Sequence, residues 1–170
     1  TATLYDTQAH AQAGGTAGRI DLSTGAAGTA HSLGSVPKGT GVGIAVAVNV
    51  AKVHNIARVG DADITADGLV VQALQPALGD DTRHGFGATS LSGVSGVDTG
   101  IAGSLAINVA MSDAAATIAD NATVTLTAPG DVSLAAVNRV GNTVSAKAGQ
   151  EGFGSFGMGI SLGLNIGETD

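Results

Sequence analysis

The side chains of this sequence that could do chemistry are few, and they are spread along the chain. The four histidines, His10, His31, His54 and His84, are isolated, with no second histidine three to five residues away, and there is no cysteine. Zinc sites need closely spaced His or Cys ligands. We therefore predict no metal centre of this kind.

Aspartates form one pattern that resembles a calcium loop. Asp61, Asp63 and Asp67 have suitable spacing, but Thr65 and Ala66 stand where further carboxylate or amide ligands are needed. This segment is therefore expected to be a turn.

A second acidic pair, Asp80 and Asp81, lies in the short segment 79–82. Carboxylate and carbonyl oxygens from one loop are the ligands that calcium prefers. Calcium at Asp80 and Asp81 is the one cofactor that we consider, against the alternative of a solvated turn. No other cofactor is expected.

Nucleophile and phosphate-binding motifs lack their structural context. Ser95 lies between Gly93 and Gly96, but no helix is expected after it, as a nucleophile elbow requires. The Gly-rich segment 157–159 lacks both the lysine and the helix of a phosphate loop. We predict no catalytic residue, and we expect that the chain is not an enzyme.

Asparagine recurs at one fixed place in three similar stretches. Asn49, Asn108 and Asn165 are separated by 59 and 57 residues. A buried amide without partners costs about 1–3 kcal/mol. Stacked copies of the stretch would supply these partners as an asparagine ladder; the alternative is that each Asn ends its strand and caps a turn alone.

The three stretches that carry these asparagines alternate large apolar and small residues. They are GVGIAVAVNVA at 41–51, GIAGSLAINVA at 100–110 and GMGISLGLNIG at 157–167. Alternation with a period of two predicts β-strands, because successive side chains point to opposite faces. We expect the large face to lie in the core and the small face to allow another backbone layer to approach closely.

The segments between the copies repeat one plan. Short strands are predicted at 62–66 and 69–74, and again at 122–127 and 131–137, with turns between them. Gly-rich returns follow at 75–98 and 138–156, where phenylalanines are expected to cover the open end of a core layer. Residues 8–14 resemble residues 143–149, whereas 14–40 is predicted to be mostly loop.

Repetition at a nearly constant period predicts an all-β fold, a repeat solenoid or parallel β-helix with long strands. A two-sheet β-sandwich is the alternative. We expect a single repeat-built domain over residues 1–170, which the chain enters and leaves part-way through a unit. Its parts are a partial unit 1–40, a unit 41–99, a unit 100–156 and a partial unit 157–170.

The composition excludes several classes of partner. Only 12% of residues are charged and 2% are aromatic, and the formal net charge is −7. The few Lys and Arg residues are dispersed, so no basic stripe exists to bind nucleic acid. No apolar run approaches the roughly 20 residues of a membrane-spanning helix, so membrane insertion is not expected.

The order of motifs within the repeats resembles that of a known group of proteins. Three features carry the resemblance: the run G-V-G-x-A-V-A-V-N-V, the later turn at Gly60-Asp61 or Ala119-Asp120, and the segment Gly130-Asp131-Val-Ser-Leu-Ala. They are similar to the tandem repeats of very large bacterial surface adhesins or exoproteins of the filamentous-haemagglutinin-like or autotransporter-like type. The resemblance covers about residues 41–170. It implies a parallel β-helix and carries over no catalytic residue.

Function follows from this resemblance as an expectation. The first hypothesis is a non-catalytic stalk, filament or matrix scaffold of a secreted bacterial surface protein, located extracellularly or at the cell surface and related to adhesion. Its partners would be neighbouring copies or repeats of itself, joined by addition of strands at open edges. The second hypothesis is a glycan- or host-surface-binding module that uses the Gly-rich loops 14–40 and 75–98.

Overall fold

The computed structural model of the chain describes residues 6–15, 20–24, 28–29, 39–75, 77, 80–95, 98–151 and 156–170. The regular secondary structure of these residues is β-strand, without a helix. In chain order the described strands are β1 (Asp6–Gly15), β2 (Ile20–Thr24), β3 (Gly28–Thr29), β4 (Thr40–Val59), β5 (Asp63–Ala66), β6 (Leu69–Ala73), β7 (His84–Ser95), β8 (Thr99–Ile118), β9 (Thr123–Leu126), β10 (Val132–Ala136), β11 (Val140–Glu151) and β12 (Phe156–Thr169).

The strands form two larger and two smaller sheets. Sheet 1 has the order β11-β7-β1-β3 and sheet 2 the order β12-β8-β4-β2, while β10-β6 and β5-β9 form the small sheets. All described strand pairs are parallel. The strands of a β-sandwich pair antiparallel, so the sandwich alternative is wrong. The fold is all-β and of the solenoid or β-helix type, as predicted.

One coil of the solenoid runs out along sheet 2 and back along sheet 1. The hydroxyl of Ser90 on β7 bonds to Ala45 on β4, and that of Ser92 bonds to Gly43. Increasing residue numbers on β7 thus meet decreasing numbers on β4, and the two sheets run in opposite directions. The turns and the small sheets lie between these passes.

The sequence copies occupy equivalent places in neighbouring coils. Asn49 pairs with Asn108, and Asn108 pairs with Asn165, in the register of sheet 2. The four predicted short strands are present as β5, β6, β9 and β10. Residues 8–14 and 143–149 both pair with residues 87–93 of β7, so the resemblance between them reflects equivalent positions.

The structure has strands in segments where no strand was predicted. Half of the predicted Gly-rich return 75–98 is strand β7, and most of the return 138–156 is strand β11. The predicted loop 14–40 contains β2 and β3, and its residues 16–19, 25–27 and 30–38 lie outside the described part. Of the phenylalanines, Phe86 is buried within β7, Phe156 is exposed at the start of β12, and Phe153 lies outside the described residues.

The prediction that the large apolar face fills the core is also wrong. In β4 the small residues Ala45 and Ala47 are fully buried, whereas Ile44, Val48 and Val50 are exposed. The reason lies in the opposite sheet, which also presents small residues inward. Two slim faces pack so closely that a full row of valine or isoleucine side chains would not fit between them, and the large side chains that point inward, such as Phe86, Val94 and Val144, are isolated.

The resulting core consists mainly of alanines. Its largest cluster is formed by alanines of both sheets, with Val144 and Ala146 packed against it: Ala9, Ala11, Ala45, Ala47, Ala88 and Ala106. A second cluster surrounds Phe86 near the turn end of the long strands. Because each alanine buries little apolar area, hydrogen bonds between the sheets must supply much of the specificity of packing.

Candidate functional site

The three repeated asparagines lie on the buried small face of sheet 2 and bond to one another. Asn49 Nδ2 donates to Asn108 Oδ1 at 2.8 Å, and Asn108 Nδ2 donates to Asn165 Oδ1 at 2.9 Å. Asn108 is fully buried, with 0% of its surface exposed. The amides therefore form a ladder along the coil axis, which fixes the register of the coils.

Serine hydroxyls join the two sheets across the core. Ser90 Oγ donates to the Ala45 carbonyl at 2.8 Å, and Ser92 Oγ donates to the Gly43 carbonyl at 2.8 Å. From the other side, Ser104 Oγ lies 2.8 Å from the Ser90 carbonyl oxygen. A side chain as short as serine reaches the opposite backbone only when the sheets are much closer than the roughly 10 Å of ordinary sheet packing.

A glycine on β12 shows how little room separates the sheets. A Cβ at Gly159 would lie 2.9 Å from the Ala148 carbonyl oxygen of β11. A Cβ at Gly149, by contrast, would have no atom within 4 Å. Gly159 is therefore required by a close approach of backbones rather than by its backbone conformation.

The outer side of sheet 2 is lined with large apolar side chains, many of which are exposed. We define the apolar face as the outward side chains within Val42–Val50, Ile101–Val109 and Met158–Ile166. These positions align in five rows across β4, β8 and β12, and Gly103 is the single position without a large apolar side chain. On β12 the whole series is exposed, with Ile160 and Leu162 both 61% exposed.

Charged side chains follow the apolar face along the same three strands. We define this charged border as Lys52, His54, Asp113, Glu168 and Asp170, which line a cavity of about 220 Å³ together with Met111 and Ser112. His54 Nδ1 pairs with the Asp113 carboxylate. Sequence reasoning missed this group because its members are far apart in the chain and meet only through the parallel register.

The outer side of sheet 1 has a different chemistry. Its outward positions include Thr89 and Leu91 on β7 and Thr143, Ser145 and Lys147 on β11, with glycines between them. Hydroxyl, lysine and glycine positions surround the exposed Leu91. The slab thus has one polar and one apolar surface.

Three polar side chains near the turn ends make contacts that were not predicted, and the first of them joins neighbouring coils. The Gln75 amide donates to the Arg139 carbonyl at 2.9 Å and accepts from the Arg139 N–H at 2.7 Å. Asn138 Nδ2 donates to the Ser112 carbonyl at 2.7 Å. His84 is 3% exposed beside Phe86, with ring centroids 6.3 Å apart, and its burial lowers its pKa below the ordinary value. Gln75 and Asn138 follow β6 and β10 at equivalent places but differ in residue type, so no sequence pattern marked them.

The predicted calcium loop is only partly within the described residues. Asp81 Oδ1 accepts a hydrogen bond from the Arg83 N–H at 3.0 Å, and Asp80 lies in a turn. Among the described residues, no group of three or more His, Asp or Glu side chains is arranged to hold a metal ion. Calcium at Asp80 and Asp81 stays a prediction.

Comparisons with family models, with curated proteins and with solved structures found no match to this chain. In the part of the chain that the structure describes, no helix has the length and apolarity needed to cross a bilayer.

Proposed function

We propose that this chain is a non-catalytic structural segment, a stalk, filament or matrix scaffold, of a secreted bacterial surface protein with a role related to adhesion. The observation that carries the proposal is the asparagine ladder inside a stack of parallel coils in register. A ladder of this kind contributes to coil-to-coil register and offers no reactive group. Asn49 and Asn108 lie in the core, where a ligand does not reach them.

The construction of the core supports the same role. In a solenoid each coil contacts mainly its neighbours, so the same plan can be continued over many coils. Alanine, serine and asparagine form the core, and their hydrogen bonds run between coils and between sheets. These features favour a scaffold whose length is set by the number of repeats, at the cell surface or outside the cell.

Surface labelling tests the location and the role together. Antibodies raised against the purified chain should label intact, unpermeabilised cells of the source bacterium as strongly as permeabilised cells. Labelling that requires permeabilisation would contradict the proposal. An antibody to a cytoplasmic protein of the same cells provides the control for cell integrity.

Ligand screening tests the non-catalytic part of the proposal. A glycan array probed with the purified chain should give no binding, and a panel of polysaccharides incubated with it should remain uncleaved. Binding to a defined glycan would favour the recognition module instead. The same chain unfolded by heat serves as the control for nonspecific adsorption.

A further inference from the structure

The geometry points to a second copy of this chain as the partner of the apolar face. We propose that two copies pack face to face through this surface, independently of whether the chain is a scaffold. In the described part of the chain nothing covers the exposed series on β12, and Val50 on β4 is 70% exposed. Contiguous apolar patches of this kind mark interaction sites.

The difference between the two outer surfaces identifies this face as the one that is covered. Fourteen of the fifteen outward positions in its five rows are Val, Ile, Leu or Met. The opposite surface carries Thr, Ser, Lys and Gly at its outward positions, with Leu91 as the large apolar residue. An exposed sheet that needed only solubility would be polar on both outer surfaces.

The apolar face and its charged border together have the size of a specific interface. From Thr40 to His54 the three strands present a surface about 50 Å long and about 14 Å wide, roughly 700 Å² per copy, of which the apolar face makes up roughly 400 Å². Two copies would bury about 1,400 Å² in total, within the usual range of specific interfaces. The apolar rows form the centre of this area and the charged border forms one rim, as in ordinary interfaces.

The charges of the border determine how the two copies face each other. Lys52 and Glu168 lie in one row on either side of Met111, so they are two strand spacings, about 10 Å, apart within a copy. A twofold axis that runs along β8 places Lys52 of one copy opposite Glu168 of the second copy, twice by symmetry. The same axis places His54 opposite Asp170 of the second copy.

A lipid surface suits this face less well than a second copy does. Proteins that bind membranes through an apolar surface usually surround it with Lys and Arg. Here the border contains one lysine and the carboxylates of Asp113, Glu168 and Asp170, and the chain has a net charge of −7. Anionic lipid would be repelled by such a border, whereas a second copy places Glu168 opposite Lys52 twice; Asp113, which lies on the axis, faces its own symmetry mate and pairs with His54 of its own copy.

The first experiment measures the mass of the intact chain by size-exclusion chromatography with light scattering. At about 100 µM, where a dimer with a Kd of about 1 µM would be nearly fully formed, the mass should be about twice 16.3 kDa. Leu162→Glu should raise the dimer Kd by at least about 30-fold, because it buries a carboxylate in the middle row of the apolar face. Leu91→Glu, the same change on the polar surface, should leave the Kd unchanged.

The second experiment reverses charges at the border. Lys52→Glu should weaken the dimer by about 3- to 10-fold at low salt and less at high salt. Adding Glu168→Lys in the same chain should restore the wild-type Kd. Lys147→Glu, which makes the same change in net charge on the polar surface, should have no effect.

Three results would overturn the proposal. One is a monomer at about 100 µM, where a dimer with a Kd of about 1 µM would be nearly fully formed. Another is a dimer or polymer that Leu162→Glu leaves intact, since this would show association through strand edges. The third is a monomer that floats with phosphatidylcholine vesicles and is released by Leu162→Glu, which would assign the face to lipid. Circular dichroism of each variant separates loss of the dimer from loss of the fold.

Discussion

Replacing Asn108 with alanine removes the central rung of the asparagine ladder. The hydrogen bond from Asn49 is buried, and the variant leaves this amide hydrogen without its acceptor on Asn108. Such a loss destabilises a protein by about 1–3 kcal/mol. The bond to Asn165 lies at an exposed strand, where water can replace the lost group, and it adds about 0.5–1.5 kcal/mol.

The expected loss for Asn108→Ala is therefore about 2–4 kcal/mol, a large part of the roughly 5–15 kcal/mol that stabilises an ordinary domain. Asn165→Ala is the matched control. It removes one bond at the exposed end of the same ladder, so it should reduce the free energy of unfolding by about 1 kcal/mol. Urea unfolding followed by far-ultraviolet circular dichroism measures both values by linear extrapolation.

A double-mutant cycle with Asn49→Ala isolates the buried bond. The sum of the losses in unfolding free energy of the two single variants should exceed the loss of the double variant, because both substitutions remove the same hydrogen bond. The reasoning is refuted if Asn108→Ala costs less than about 1 kcal/mol, or if Asn165→Ala costs as much as Asn108→Ala. In either case the ladder would be a consequence of the register and not a cause of it.

Three further changes test the close packing and the buried histidine. Ala106→Leu forces three carbons between the sheets and should cost at least about 3 kcal/mol, whereas Ile107→Leu on the outer side should cost under about 1.5 kcal/mol in urea unfolding. Gly159→Ala should lower the melting temperature measured by calorimetry, and Gly149→Ala should not, because only the first meets a backbone oxygen. Burial lowers the pKa of His84 in the folded state, so the unfolded chain binds more protons below about pH 6.5. The free energy of unfolding should therefore fall as the pH decreases through this window. In a plot of the urea midpoint against pH, His84→Gln should have a smaller slope there than the wild type. Equal slopes for the two chains would contradict this assignment.

Much of the strand pattern could be predicted from the sequence. The alternating copies in β4, β8 and β12 and the turn signals around β5, β6, β9 and β10 act locally, so a short window of sequence contains them. The asparagine pairs followed from equal spacing, because stacked copies place equal positions side by side. β7 and β11 were harder to identify, since glycine and serine interrupt their apolar alternation.

The choice of the buried face could not be settled by the same reasoning. Alternation assigns the residues of β4 to two faces, and hydrophobicity alone selects the valine face for the core. The deciding information lies in a distant strand: Ala88, Ser90 and Ser92 of β7 are small at every second position. Recognition of this second small face, and of its partner on β11, would have predicted two slim surfaces in contact.

The candidate interaction surface depended on this choice. Its rows can be read from the sequence once the outward face is known, because Val46, Leu105 and Leu162 hold equivalent places in their copies. The charged border was not predictable from spacing, since Lys52 and Glu168 belong to different coils and have no repeated counterpart. It becomes visible only when the register of the strands is given.

The length of one coil has a consequence for any fibre built on this plan. Each circuit takes 57 or 59 residues and advances the stack by one strand spacing of about 4.8 Å. This amounts to about 12 residues per ångström, whereas a two-stranded coiled coil uses about 1.3. A fibre of this kind is thick and short for its number of residues, and a projection of about 100 Å requires roughly 1,200 residues. Linear mass density in the electron microscope would therefore distinguish it at once from a thin helical fibre.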